Sequence, residues 1–269
     1  MITHRLSADA GRAAHPRVVV ELAPGARARV VERFIGAAGA DGLCNASASV
    51  QVGAGATLDW LHLQDQDDAS THLALFDARL AADARLALRV VHCGADLGRF
   101  AARIALAGPR AAVEVDALNA TDGRRRADLV LEVRHAAHDT RSLQTYRGVA
   151  GGRSKAAVTS RAVVVRDAPR CEAAQSLGSL LLSPHAEADA RPELEIENDD
   201  VRCSHGATIG QLDEAALFYL RSRGLDEATA RAALVFAFAD AVLASLPRGA
   251  LREHLEQRLR QRLGDGPGA

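Results

Sequence analysis

Aromatic residues are scarce in this chain: one Trp, two Tyr and six Phe make up 3% of its 269 residues, which leaves little to stack on sugar rings. Net charge is almost absent too. With 33 Lys and Arg against 34 Asp and Glu, the chain has no global electrostatic footprint for nucleic acid or an anionic membrane. The one basic run, Arg124 to Arg126 behind Asp122-Gly123, is too short for a nucleic-acid patch; it reads as a solvated turn, with a phosphate contact as the sharper alternative. An apolar leader segment is missing from the first twenty residues, which hold His4, Arg5, Asp9, Arg12, His15 and Arg17, and no later run reaches membrane-spanning length. A cytoplasmic protein is expected. Cysteine is limited to Cys44, Cys93, Cys171 and Cys203, with no C-x-x-C spacing, which suits reduced thiols better than a disulfide framework. Any metal site must then be assembled from distant residues or from another chain.

What is present is a repeated theme. Apolar residues make up 48% of the chain, enough for one large domain or a domain with a small appendage. From Arg17 to about Cys203, short Val-rich runs alternate with Gly, Pro or Asp turns: VVVEL at 18, RVVERFI at 29, SVQV at 49, LDWLHL at 58, RLALRVV at 85, LVLEV at 129 and LEIE at 194. Several alternate with a period of two, the pattern of a half-buried strand. Turn-then-strand units begin at Pro24, Gly53 and Ala82, a period of 29 that falls within the range of stacked supersecondary repeats. No helix of useful length separates the strands, which disfavours a doubly wound fold. The expected fold is mainly β, a β-solenoid in the form of a parallel β-helix over residues 17–210, with a sandwich or barrel as the alternative. Residues 1–16 read as an N-terminal tail.

Beyond Gly210 the period changes to that of helices, giving a small C-terminal α-helical region over 211–269. Asp213 can cap a helix through Leu217, Phe218 and Leu220 to Gly224, a residue suited to a left-handed C-terminal cap. Asp226 can cap a second, with Leu234, Phe238 and Val242 on one face and Pro247 ending it. A third carries Leu251, Leu255 and Leu259. Three such helices make a thin core alone, so they are expected to pack on the solenoid end or on a partner. Shielding of the last coil is the plainest role for them.

At the seam between these regions, VRCSHGATIGQLDEAALFYL places Cys203 and His205 two positions apart. On a strand they share a face, about 6.5–7 Å apart along the chain, and together they make half a metal site. Closed zinc sites need four ligands, and cluster iron is usually held by thiolates. The plain alternative is a buried cysteine packing as a small hydrophobe beside a hydrogen-bonded histidine. A nucleophilic pair is disfavoured because no third orienting group is evident.

The run RCEAAQSLGSLLLSPHAEADARPELEIENDDVRCSHGATIGQLDEAALFYLRSRG, residues 170–224, closely resembles the SufB/SufD family of iron–sulfur cluster assembly scaffolds. The CSHGAT form at 203–208 is similar to the SufD branch of that family, and HDTRSLQTYRGV at 138–149 is a weaker match. The resemblance implies a right-handed parallel β-helix with C-terminal helices, and a non-catalytic subunit of an ATP-driven complex. It also implies pairing with SufB through the β-helix and binding of the ATPase SufC on the helices, for which Leu217, Phe218, Leu220, Phe238 and Val242 are the candidate contacts. Cys203 and His205 then supply this chain's half of a nascent cluster site at the SufB interface. No cofactor is expected to be held stably by this chain alone. Use of reduced flavin by the complex, and homodimerisation without SufB, stay open.

Two departures from the family pattern stand out. Members usually carry a helical region before the β-helix, whereas strands here begin near Arg17, as expected of a shortened member or a cut chain. Gly178 stands where a polar residue, usually asparagine, precedes the Leu180–Leu182 run. Two rival readings remain. One is a β-helix carbohydrate-active enzyme using Glu195, Glu197, Asp199 and Asp200, opposed by the scarce aromatics and missing secretion signal. The other is a structural dimerisation module with an inert Cys203.

Overall fold

In Leu97–Leu106 and Arg126–His135 every second side chain is buried, as the period of a pleated strand requires when one face meets a core. The computed structural model describes residues 1–6, 11–37, 39, 41–66, 68–246 and 249–263. These form β1 (Ile2–Leu6), β2 (Ala13–Ala14), β3 (Arg17–Leu22), β4 (Arg27–Gly36), β5 (Leu43–Val52), β6 (Thr57–Asp65), β7 (Thr71–Leu80) and β8 (Arg85–His92). They continue with β9 (Leu97–Leu106), β10 (Ala112–Thr121), β11 (Arg126–His135), β12 (Arg141–Ala150), β13 (Lys155–Val164), β14 (Cys171–Leu181), β15 (Glu187–Ile196) and β16 (Val201–Gln211). Three helices follow: α1 (Glu214–Ser222), α2 (Glu227–Leu243) and α3 (Ala250–Leu263).

Successive strands do not pair with each other. One sheet runs β1-β4-β6-β8-β10-β12-β14-β16, the other β15-β13-β11-β9-β7-β5, with β2 and β3 both on β5. The ladders are parallel; for example β4 pairs with β6, β5 with β7 and β14 with β16. The chain therefore visits each sheet once per coil, giving a β-solenoid of about seven turns rather than a sandwich or barrel. Arg27 stands opposite Thr57, Thr57 opposite Arg85 and Arg85 opposite Ala112. The period of 29 read from Pro24, Gly53 and Ala82 is thus one coil.

The same turn recurs in six successive coils and explains the spacing. Gly25, Gly55, Asp83, Arg110, Asp139 and Arg170 all have φ between 57° and 72°. Each N–H donates to a carbonyl of the next coil, as in Gly25 to Ala54 at 2.8 Å, Asp83 to Pro109 at 2.9 Å and Asp139 to Pro169 at 3.0 Å. Glycine adopts this backbone freely, whereas an L side chain costs about 1–2 kcal/mol. At Arg110 and Arg170 the side chain partly offsets that cost by forking onto the turn below: Arg110 donates to both oxygens of Asp83 at 2.7 Å, and Arg170 to those of Asp139 at 2.7 and 2.8 Å.

Residues 2–6, read from sequence as tail, are a strand. β1 pairs with β4 from Ile2 opposite Glu32 to Leu6 opposite Gly36. His4 stacks on Phe34 with ring centroids 4.6 Å apart, and its Nε2 lies 3.0 Å from Glu32 Oε1. His4, which hid this strand, is satisfied by partners almost thirty positions away.

The helices start and stop where the sequence signals them. The Asp213 carboxylate accepts from the N–H groups of Ala215 and Ala216, Asp226 accepts from Thr229, and Gly224 has φ +94° just past α1. Pro247 lies outside the described residues, as does the side chain of Leu251. The expected seat of the helices over the last coil is corrected. They lie on the flank of the first sheet, where Ala239, Val242, Leu243, Leu246, Leu255 and Leu259 pack against outward-facing Leu61, Leu63, Val91, Cys93, Leu118 and Ala120. Each fully buried Leu there contributes about 2 kcal/mol, which fixes the helices to the flank and leaves the end of the solenoid open.

Candidate functional site

Among the described residues the last coil has no layer above it. β15 and β16 end their sheets, so among the described residues their outer edges carry unpaired backbone N–H and C=O groups, the template that edge strands offer to another chain. From Ser204 to Gln211 every residue of β16 is exposed. Ile209 on β16 and Ile196 on β15 are both large, apolar and open to solvent.

Cys203 and His205 share the inward-directed face of β16, in register with Ala173 and Gln175 of β14. The structure brings them together but gives them different surroundings. Cys203 is half-buried, packed with Val164, Ala168, Cys171, Val165 and Val201. Burial pushes its thiol above the ordinary value, a hydrogen bond with the Ala173 backbone pulls it partly back, and Cys171 raises it again. At neutral pH it is a thiol, so an incoming metal ion must displace its proton. Cys171, which lies opposite Val201 one coil below, is fully buried and directs its sulfur to the Ala168 carbonyl at 3.2 Å and to Thr140 Oγ1 at 3.1 Å; it is a packing residue. His205 is exposed.

The polar character continues inward from His205. Gln175 is buried, and its Nε2 donates to the Ser160 carbonyl at 2.9 Å and Ser160 Oγ at 3.2 Å, while Ser160 Oγ donates to Gln144 Oε1 at 2.6 Å. Gln175 Oε1 has no hydrogen-bond partner among the described residues. Sequence reading missed Gln175; its signal was its position one coil before His205, on a strand face where Cys171, Ala173 and Leu177 are its apolar neighbours. A cavity of about 450 Å³ lies across this end, lined by Arg141, Leu143, Glu172, Ala174, Arg202 and Cys203 among others. Glu172 holds Arg141 at 2.6 Å and Arg202 at 3.8 Å.

The helical candidates divide. Leu217 and Val242 are buried in the chain's own packing, and Phe238 is half-buried against Val149, Leu180 and Val235. These three are consumed at home, because the sheet flank offers apolar surface that the sequence pattern did not assign to the helices. Leu220 is half-buried. Phe218 is 74% exposed and Tyr219, beside it and not singled out from sequence, is 57% exposed. The glycine at 178 has a local reason: a Cβ there would meet Arg147 and Phe238 at 3.3 Å, and the Arg147 guanidinium lies 5.6 Å from the Phe238 ring centroid. α2 sits close over β14 at that point.

The acidic residues of the enzyme reading do not converge. Glu195 is ion-paired with Arg161, Asn198 accepts from the Asp200 N–H at 2.9 Å, and Glu197 and Asp199 are exposed. In the basic run, Arg125 is tied to Asp68 at 2.7 Å and to the Asp122 carbonyl at 3.0 Å. Arg124 and Arg126 line a polar cavity of about 440 Å³ with Arg153 and His185. Among the described residues no helix is long and apolar enough to cross a membrane.

Comparison with known proteins agrees with the geometry. The family described as "SUF system FeS cluster assembly, SufBD core domain" matches residues 4–238. The chain is 29% identical over 265 residues to the iron-sulfur cluster assembly protein SufD of Escherichia coli, covering 98% of this chain and 63% of that protein. It is 32% identical over 249 residues to the chloroplastic protein ABCI7 of Arabidopsis thaliana, covering 91% and 52%. A SufBD family protein of Synechocystis is 33% identical over 202 residues, covering 73% and 44%. The chain thus spans roughly half to two thirds of the length of these relatives.

Proposed function

The chain belongs to the SufBD core domain family of the SUF iron–sulfur cluster assembly system, and from that premise we propose that it is a non-catalytic scaffold subunit of an ATP-driven cluster assembly complex in the cytoplasm. It pairs with SufB through the open end of its solenoid and carries the ATPase SufC on its helices. The observation that carries this reading is the last coil itself. β15 and β16 present unpaired edges and exposed Ile196 and Ile209, while α2 and α3 occupy the flank and leave the end free. A partner strand added there gains main-chain hydrogen bonds and covers the two isoleucines.

Cys203 and His205 stand at that edge, so a partner docking on it closes around them. His205 offers an exposed imidazole, and Cys203 a thiol that yields its proton only when a cation arrives. Two ligands from one chain leave positions for ligands from the other, so the nascent cluster is cargo held between subunits rather than a group resident in this chain. On the helices, Phe218 and Tyr219 form the exposed aromatic surface suited to anchoring SufC.

Co-expression of the full chain with SufB and SufC, followed by size measurement and iron and sulfide analysis, tests the reading. The expected product is a stable assembly of all three that accumulates iron and sulfide. A chain that purifies alone in the presence of both partners would refute it.

A further inference from the structure

Far from β16, the solenoid encloses a second group of ligand-type side chains that the assembly role does not use. His62 on β6, His72 on β7 and His92 on β8 are 1%, 0% and 1% exposed. Each offers a ring nitrogen, and these three nitrogens all lie within 4.8 Å of one another. We propose that His62, His72 and His92 form an internal metal site that holds one divalent first-row transition ion and pins the early coils together.

The spacing suits a shared ion. His62 Nε2 and His72 Nε2 are 3.2 Å apart, and two nitrogens bound at 2.0–2.1 Å to one tetrahedral ion stand about 3.3 Å apart. Hydrogen bonding alone leaves the cluster unsatisfied. Both ring nitrogens of His92 are buried without a hydrogen-bond partner among the described residues; a buried polar atom without a partner calls for an unseen ion or water, and an ion ligated by one of the two supplies it. Phe34 lies 4.6 Å from the His72 ring and Phe100 4.6 Å from the His62 ring, so apolar walls close the space.

The surroundings supply what ligation needs. His62 turns its Nδ1 toward Glu32 Oε2 at 3.7 Å, and Glu32 Oε1 lies 3.0 Å from His4 Nε2. A carboxylate behind a ligating imidazole orients the ring and raises its donor strength, and here it also brings a negative charge toward the ion. Burial lowers the basicity of all three imidazoles, so they are neutral and their lone pairs are available. Imidazole ligation suits zinc, iron, nickel, cobalt or copper rather than magnesium or calcium. Because the site is enclosed, the ion enters as the coil folds.

The test uses the full chain produced in cobalt-supplemented medium, so that Co²⁺ is present during folding. The expected result is about one Co²⁺ per purified chain, with the visible absorption of a low-symmetry nitrogen-ligated site. His72→Phe and His92→Phe, which keep a ring in the apolar space, are expected to lose the ion while the far-ultraviolet β signal is kept. His205→Ala is expected to retain it, which separates this site from the cluster-assembly edge. Wild-type protein without cobalt absorption overturns the proposal on its own, whether or not the variants fold. Cobalt retained by both Phe variants, or lost with His205→Ala, also overturns it.

Discussion

His205 stands opposite Gln175 in the β14–β16 ladder, the first exposed on the last strand and the second buried one coil below, its Oε1 without a hydrogen-bond partner among the described residues. The inner face of the solenoid therefore opens to solvent through a polar position. Replacing an exposed side chain on an edge strand removes little packing, so His205→Ala is expected to change unfolding free energy by less than about 0.5 kcal/mol. Cys203→Ser alters a half-buried thiol packed on Ala168 and Cys171, and a loss of about 1 kcal/mol is expected. In the co-expressed complex both variants should assemble yet yield less iron and sulfide. Normal cluster content in a folded His205→Ala complex would remove the reason for assigning this edge to the cluster.

The exposed aromatic pair on α1 gives a second expectation. Phe218→Ala combined with Tyr219→Ala removes side chains that are 74% and 57% exposed, so stability should stay within about 0.5 kcal/mol, while SufC capture falls by about tenfold or more if these are its anchors. Leu243→Ala is the control, since Leu243 is fully buried between α2 and the sheet flank. It should cost about 2–5 kcal/mol through the cavity left behind and reduce capture only with the loss of folded protein. Point substitutions are cleaner than removal of residues 213–269, which uncovers Leu61, Leu63, Val91 and Leu118 together. Binding titrations on thermally matched samples decide the matter, and full capture by the double variant sinks the assignment of SufC to Phe218 and Tyr219.

Much of the solenoid was legible because its rules are local. Alternation marked the strands, Pro24, Gly53 and Ala82 marked the coil length, and Asp213, Asp226 and Gly224 marked helix ends. The seat of the helices was not read, although its signal was present. LDWLHL and RLALRVV are nearly continuous apolar runs, which indicate a strand covered on both faces, and Leu61, Leu63 and Val91 are the residues that α2 and α3 cover. β1 was missed because His4 and Arg5 look like tail until β4 supplies Glu32 and Phe34. The placement of Cys203 and His205 on one face follows from a spacing of two on one strand. The cluster of His62, His72 and His92 follows from no spacing at all, since two sheets and three strands must close on one another before the rings meet.

The interior also sets a dependence on pH. His135, at the end of β11, is fully buried, with Nδ1 2.8 Å from Thr140 Oγ1 and Nε2 2.9 Å from Ser142 Oγ. Burial lowers its pKa from 6.5 to about 4. The unfolded chain therefore takes up a proton near pH 6.5 that the folded chain refuses until near pH 4, so stability rises with pH across that window. The contribution is fully present above pH 6.5 and is lost as pH falls through 4; a difference of this size corresponds to on the order of 3 kcal/mol. His135→Gln keeps a hydrogen-bonding side chain that takes up no proton, so it should flatten this part of the acid dependence. Other buried imidazoles titrate in both proteins and cancel in the comparison. Urea unfolding of wild type and variant at about pH 7.5 and about pH 4.5 measures the difference directly. The wild type should lose more stability between the two conditions than the variant, and equal losses would show that His135 does not carry the effect.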